Sequence, residues 1–86
     1  MSHKNPKYIA WVKQKPCCGC GNPNVDPHHV IGLGLGITGD TASDIHTIPV
    51  CRPCHREIHN EPNKYQLPQV RWLMKTQDQA ITEEIL

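Results

Sequence analysis

The sequence predicts a small α+β domain held together by a staple as much as by an apolar core. Three observations predict it. The chain has 86 residues, 37% hydrophobic, with no Phe, eight Pro and six Gly, which is near the size at which burial alone stops sufficing for a stable fold. Two C-x2-C pairs, Cys17/Cys20 and Cys51/Cys54, stand 30 residues apart. Short β-branched runs lie between segments of helical period.

In chain order, "NPKYIAWVKQK" predicts a helix over about 6–14: Asn5 caps it, Pro6 suits the first helical position, and Tyr8, Ile9, Trp11 and Val12 recur at helical spacing. Pro16 ends it. "CCGCGNPNV" is a tight turn whose residues 17–20 suit a metal knuckle. "HHVIG" and "DIHTIPVC" predict an antiparallel strand pair, joined through "LGLGITGDTAS". "RPCHREIHN" predicts a helix that tolerates Pro53 in its first turn. A last helix over about 67–84 carries Val70, Leu73, Gln77, Ala80 and Ile81 at roughly helical period. Residues 1–86 are expected to form one domain, without internal repeats.

The start of the chain lacks the apolar run of a signal peptide, and no stretch approaches a membrane span. A cytoplasmic protein without membrane partners is expected, and there paired thiols mean metal or redox chemistry more often than disulfides. Two pairs at matching spacing are best explained by one shared ion. A structural Zn²⁺ on Cys17, Cys20, Cys51 and Cys54 is the prediction, since two intervening residues let a turn present both sulfurs to a tetrahedral ion. Cys18-x-Cys20 is the cramped alternative to Cys17.

Five of the six histidines fall between residues 28 and 59. His55 and His59, four apart on a predicted helix, project from one face. Alone, that spacing reads equally well as an exposed polar face. With Cys54 committed beside His55 and the pair His28–His29 across the hairpin, three neutral imidazoles with open positions describe a catalytic metal site.

"HH", His46 and "CHREIH" resemble, in order and spacing, the HNH or ββα-metal nucleases. "YIAWVKQKPCCGCG", "DPHHVIGLGLGITGDTASD" and "TIPVCRPCHREIH" are similar to small phage and prophage proteins of that superfamily, including its recombination-associated nucleases. The resemblance runs from about Tyr8 to His59. It implies a ββα-metal hairpin and helix flanked by N- and C-terminal helices, and a metal-dependent endonuclease acting on DNA in a bacterial host cell. It further implies that His28, His55 and His59 hold a catalytic divalent ion (Mg²⁺, Mn²⁺, Ni²⁺ or Zn²⁺), that His29 is the general base, and that products carry 5′-phosphate and 3′-hydroxyl ends. His46 stands where the family usually has Asn; it either orients His29, adds a ligand, or only occupies the strand. Asp26 is an alternative carboxylate ligand.

One difficulty is geometric: adjacent strand residues point to opposite faces, so His28 and His29 can share a site only if the strand begins, twists or bulges there. The net charge of +1 is a weak argument for a polyanionic partner. Its distribution says more, because Lys4, Lys7, Lys13 and Lys15 precede the first acidic residue, Asp26. Lys7, Lys13 and Lys15 are candidate DNA contacts or simply a solvated helix face; Arg52 and Arg56, beside the predicted metal helix, are candidates of the same kind. Gly32, Gly34, Gly36 and Gly39 read as turn glycines rather than a nucleotide cradle, since no Lys-Ser/Thr pair follows them; no nucleotide cofactor is expected. The sequence leaves the oligomeric state open, with a monomer slightly favoured: the last helix either docks on the core or pairs with a second copy. The rival class is a zinc-stapled nucleic-acid-binding module or adaptor without catalysis.

Overall fold

A computed structural model describes residues 4–31 and 43–86, so the glycine run Gly32–Gly39 lies outside the described residues. Helix α1 spans Pro6–Val12, where the Asn5 side chain accepts the Tyr8 N–H at 3.1 Å and Pro6 occupies the first turn. It stops short of residue 14 because Gln14 and Lys15 bond back to Trp11 and Val12 in i→i+3 fashion, tightening the chain out of α-helical pitch.

Strand β1, Asp26–His29, pairs antiparallel with β2, Thr47–Val50, in a register that sets His28 opposite Ile48 and His29 opposite Thr47. β1 begins two residues before "HHVIG" and ends at His29, and β2 is shorter than "DIHTIPVC" predicts. Residues Asp44–His46 form a 3-10 turn leading into β2. Beyond Val30, whose N–H still reaches the His46 carbonyl, both backbone groups of Ile31 bond to the Gln69 side chain instead of a strand. Helix α2, Arg52–Asn60, follows β2 with only Cys51 between, and α3, Gln66–Thr82, closes the described chain. Among the described residues the result is an α+β arrangement of three helices around a two-stranded sheet. No described helix is long and apolar enough to cross a membrane.

β2 is buried along its whole length. Ile48 and Val50 pack with Cys17, Val30, Cys51, Ile58 and Leu73, which joins the knuckle, α2 and α3 in one cluster. A second cluster of Tyr8, Trp11, Val12 and Ala80 joins α1 to the far end of α3. The Tyr8 hydroxyl crosses between them, donating to the Thr47 carbonyl at 2.8 Å; burial raises its pKa to about 12, so it stays a donor. Trp11 Nε1 donates to Glu83 Oε1 at 2.9 Å on the same seam.

The buried face of α3 is Gln69, Leu73, Thr76 and Ala80, rotated from the predicted stripe, and Ile81 is 60% exposed. The rotation follows from what meets the helix. Small Ala80 lets the aromatic side of α1 approach, Thr76 satisfies its hydroxyl on the Trp72 carbonyl at 2.7 Å, and Gln69 takes its partners from His28 of β1 and from Ile31 just beyond it.

Tyr8→Phe keeps the ring and removes one buried hydrogen bond, so a loss of about 1 kcal/mol is expected. Tyr8→Ala empties a core site and is expected to cost about 3–5 kcal/mol. Urea unfolding followed by Trp fluorescence checks both; equal losses for the two variants would remove the assigned role of the hydroxyl bond.

Candidate metal centres

The four sulfurs of Cys17, Cys20, Cys51 and Cys54 lie within 4.8 Å of one another. Local structure puts them there. The knuckle closes through Cys17 N–H to the Asn22 carbonyl and Gly21 N–H to the Cys17 carbonyl, both 2.8 Å, and Gly21 adopts φ +83°, a conformation that favours glycine. Cys18 N–H donates to the Pro49 carbonyl at 3.0 Å, fastening the knuckle to β2. Gly19 lies so close to the second pair that a Cβ there would stand 3.3 Å from Cys54 Sγ. Cys51 caps α2 and Cys54 sits in its first turn.

Zinc fits this donor set. Zn–S bonds of about 2.3 Å give tetrahedral edges of about 3.8 Å, and Cys20 and Cys51 sulfurs are already 3.4 Å apart. All five cysteines are free of disulfides. Burial pushes the Cys17 thiol up, but peptide N–H groups of Cys51, Gly19 and Cys20 outweigh it and bring the pKa down to about 6. Burial raises Cys54, and neighbouring sulfurs add to the rise. Four thiolates would share this space only with a cation among them. Cys18 is outside the group, and burial drives its thiol up to about 12.

The second group unites His28, His55 and His59, again with ligand atoms within 4.8 Å. His28 comes from β1; His55 and His59 lie one turn apart on α2, their Nε2 atoms 3.0 Å from each other. The His28 ring meets those of His55 and His59 edge-on, at centroid distances of 4.7 and 5.5 Å. His28 is only 3% exposed, and burial lowers its pKa to about 4, so it is a neutral ring with a lone pair to offer. Burial lowers His55 as well. Three imidazole nitrogens fit a borderline divalent ion with open positions better than a closed structural site. His28 Nε2 lies 3.1 Å from Gln69 Oε1, a partner on α3 that the sequence reading did not single out. Its one signal there is a polar residue at the first place of the 69, 73, 76, 80 helical stripe.

His29, the last residue of β1, is outside this trio and meets a different partner. Its Nε2 is 3.1 Å from Asp44 Oδ1, and Asp44 Oδ2 accepts the Asn5 N–H at 2.9 Å. A carboxylate only accepts, so Nε2 of His29 carries a hydrogen, and in the neutral ring Nδ1 keeps the lone pair. The Asn5 N–H, then the His29 imidazole, hold the Asp44 carboxyl below its ordinary range. The structure sets Asp44, rather than His46, against His29. His46 lies in the 3-10 turn with its Nδ1 buried and unpartnered. Asp26 belongs to neither group; its Oδ2 is 3.5 Å from Arg52 Nε.

The basic candidates differ in their commitments. Lys7 and Lys13 are exposed on α1 and just past its end. Lys15 is tied to Glu83 at 3.0 Å and sits over the Trp11 ring. Arg52 and Arg56 are exposed on α2, the helix that also bears His55 and His59.

These features define a small α+β domain with a four-cysteine and a three-histidine group, each able to hold a metal ion. The chain belongs to the DUF968 family, described as a protein of unknown function, whose model matches residues 1–83. It is 49% identical over 55 residues to the uncharacterized protein YdfU of Escherichia coli K12, covering 64% of this chain and 16% of that one. It is 32% identical over 77 residues to the type IV methyl-directed restriction enzyme EcoKMcrA of the same organism, covering 74% of this chain and 27% of that one. The chain therefore spans about a sixth and about a quarter of these relatives' lengths. No solved structure matches it.

Replacing Cys17, Cys20, Cys51 or Cys54 by Ser is expected to prevent folding, because a structural zinc contributes roughly 10 kcal/mol or more in small domains; Cys18→Ser is expected to be mild. Circular dichroism with zinc content by mass spectrometry checks this, and an unfolded Cys18→Ser beside a folded Cys17→Ser would reassign the ligand. The lowered pKa of Asp44 gives a pH signature. Its contribution to stability is full above the unfolded-state pKa of about 3.9 and is lost as pH falls through its lower folded-state value. The stability gap between wild type and Asp44→Asn is therefore expected to be constant near neutrality and to close below about pH 4; a gap unchanged in acid would count against the pairing.

Proposed function

We propose that this chain is a ββα-metal, or HNH, nuclease domain that hydrolyses DNA phosphodiester bonds. The observation that carries the reading is the convergence of His28 from β1 with His55 and His59 from α2, next to a second histidine whose orientation Asp44 holds. The similarity to a restriction enzyme supports it. The four cysteines would hold a structural zinc, and His28, His55 and His59 a divalent ion such as Mg²⁺, Mn²⁺, Ni²⁺ or Zn²⁺. Bound there, that ion supplies a Lewis acid for a phosphoryl oxygen and the leaving oxygen.

His29 is the general base in this reading. Asp44 accepts its Nε2 hydrogen, which leaves Nδ1 to take a proton from water during in-line attack on phosphorus. Asp44 is thus the orienting group that the sequence reading sought in His46. Its own position is fixed by the Asn5 N–H at the start of α1, so the N-terminal helix contributes to the site. Exposed Arg56 and Arg52 on α2, with Lys7 and Lys13 on the α1 side, would meet phosphates. Lys15, neutralised by Glu83, would contribute less than its sequence position implies.

The test is plasmid nicking by protein whose histidine group has been emptied, with divalent ions added back singly. Cutting restored by at least one ion is expected. His28→Ala should lose metal affinity and activity together, with partial rescue at high metal. His29→Ala should keep the fold, zinc and DNA affinity while cleavage falls by roughly 10² to 10⁴, and Asp44→Ala should lose about 10²-fold through misplacement of the base. DNA binding without cutting under every ion would instead leave a zinc-stapled binding module.

A further inference from the structure

We propose that Gln69, on the helix beyond the strand-strand-helix unit, is a positioning residue for His28: it locks the imidazole in the Nε2–H tautomer and leaves Nδ1 as the nitrogen that takes the metal. The inference rests on the reading of His28 as a metal ligand and adds to it a residue from α3.

The Gln69 amide has only one workable orientation. Its Nε2 donates to the Ile31 carbonyl at 2.9 Å, and its Oε1 accepts the Ile31 N–H at 3.0 Å. Flipping the amide would set N–H against N–H and oxygen against oxygen at a side chain with no exposed surface, where unmade hydrogen bonds are costly. Oε1 is therefore the atom that faces His28, 3.1 Å from its Nε2. An amide oxygen only accepts, so Nε2 of His28 carries the hydrogen. A neutral imidazole has one N–H, and its lone pair is then on Nδ1. Burial of the ring against His55 and His59 disfavours the doubly protonated cation.

The same amide fastens the end of β1 to α3 and orients the one candidate ligand on that strand. Both lone pairs of Oε1 are used, one on the backbone of Ile31 and one on the ring of His28. A histidine ligand whose remaining N–H is held this way binds metal more tightly, and losing such a partner typically costs about 10- to 100-fold in affinity.

Two variants separate positioning from a merely structural tie. Gln69→Met keeps the volume and removes the acceptor. Gln69→Glu keeps an acceptor for His28 Nε2–H and Ile31 N–H but loses the donor to the Ile31 carbonyl and buries a charge. The readouts are the imidazole tautomer, from long-range ¹H–¹⁵N correlation after the histidine group is emptied with a weak chelator, and Co²⁺ affinity by optical titration with zinc on the cysteines.

Wild type and Gln69→Glu are expected to show His28 protonated on Nε2 and bare on Nδ1, with Co²⁺ affinities within a few-fold of each other. Gln69→Met is expected to show mixed tautomers and Co²⁺ binding weaker by about 10- to 100-fold. A structural tie alone predicts the reverse order, with the buried charge doing at least as much harm as Met. The assignment is overturned by Nδ1–H in wild type, by a Gln69→Met variant with wild-type tautomer and affinity, or by Gln69→Glu binding as weakly as Gln69→Met. If neither variant folds, the wild-type tautomer alone decides. A wild type with the expected tautomer that binds Co²⁺ and cuts no DNA keeps the Gln69 assignment and removes the nuclease reading.

Discussion

The direct junction of β2 with α2 is the constraint on which the rest of the structure depends. Val50 ends the strand, Cys51 caps the helix, and Arg52 is already helical. No linker separates them, so the nine-residue helix is fixed to a strand that is itself buried along its length. That helix carries candidate ligands of both metal groups: Cys51 and Cys54 at its start, His55 and His59 within the next turn. Where Ile48 and Val50 pack, therefore, decides where two groups of donors stand. A metal on the cysteines would tie the knuckle to the helix start and hold the histidines in place from one side.

The flanking helices act on the histidines from the other sides, through single polar bonds rather than broad apolar contact. At the start of α1, Asn5 caps the helix with its side chain and holds Asp44 with its N–H; Asp44 in turn holds His29. At the start of α3, Gln69 bonds His28 and Ile31. The two adjacent histidines of β1 thus meet different acceptors, each supplied by a different part of the chain. In both, the acceptor leaves Nδ1 as the nitrogen with a free lone pair. Such bonds are worth little in net stability, about 1 kcal/mol each, but they fix tautomer and ring orientation, which apolar packing does not.

A metal on the four cysteines would also help so small a core suffice. The four-cysteine group sits at the edge of the larger apolar cluster, and Cys17 and Cys51 are members of both. The second cluster, between α1 and α3, is closed by the Trp11–Glu83–Lys15 contacts. These contacts hold the Lys15 ammonium between Glu83 and the Trp11 ring.

Spacing along the chain determined much by itself. The C-x2-C pairs fixed which sulfurs can share an ion, because a two-residue gap places both on one turn. His55 and His59 were legible as one helix face for the same reason, since 3.6 residues per turn brings positions four apart together. Asn5 and Pro6 announced α1 through local capping chemistry. The tertiary structure alone decided the polar partners of the two β1 histidines and which face of α3 is buried. Asp44 rather than His46 meets His29, because a 3-10 turn, not a longer strand, leads into β2. Gln69 reaches His28 across 41 residues, and Ile81 turns outward while Gln69 and Thr76 turn in. Periodicity specifies that a helix has a buried face, but polar residues can occupy that face when their partners wait on another element, and those partners are chosen by packing, not by the local chain.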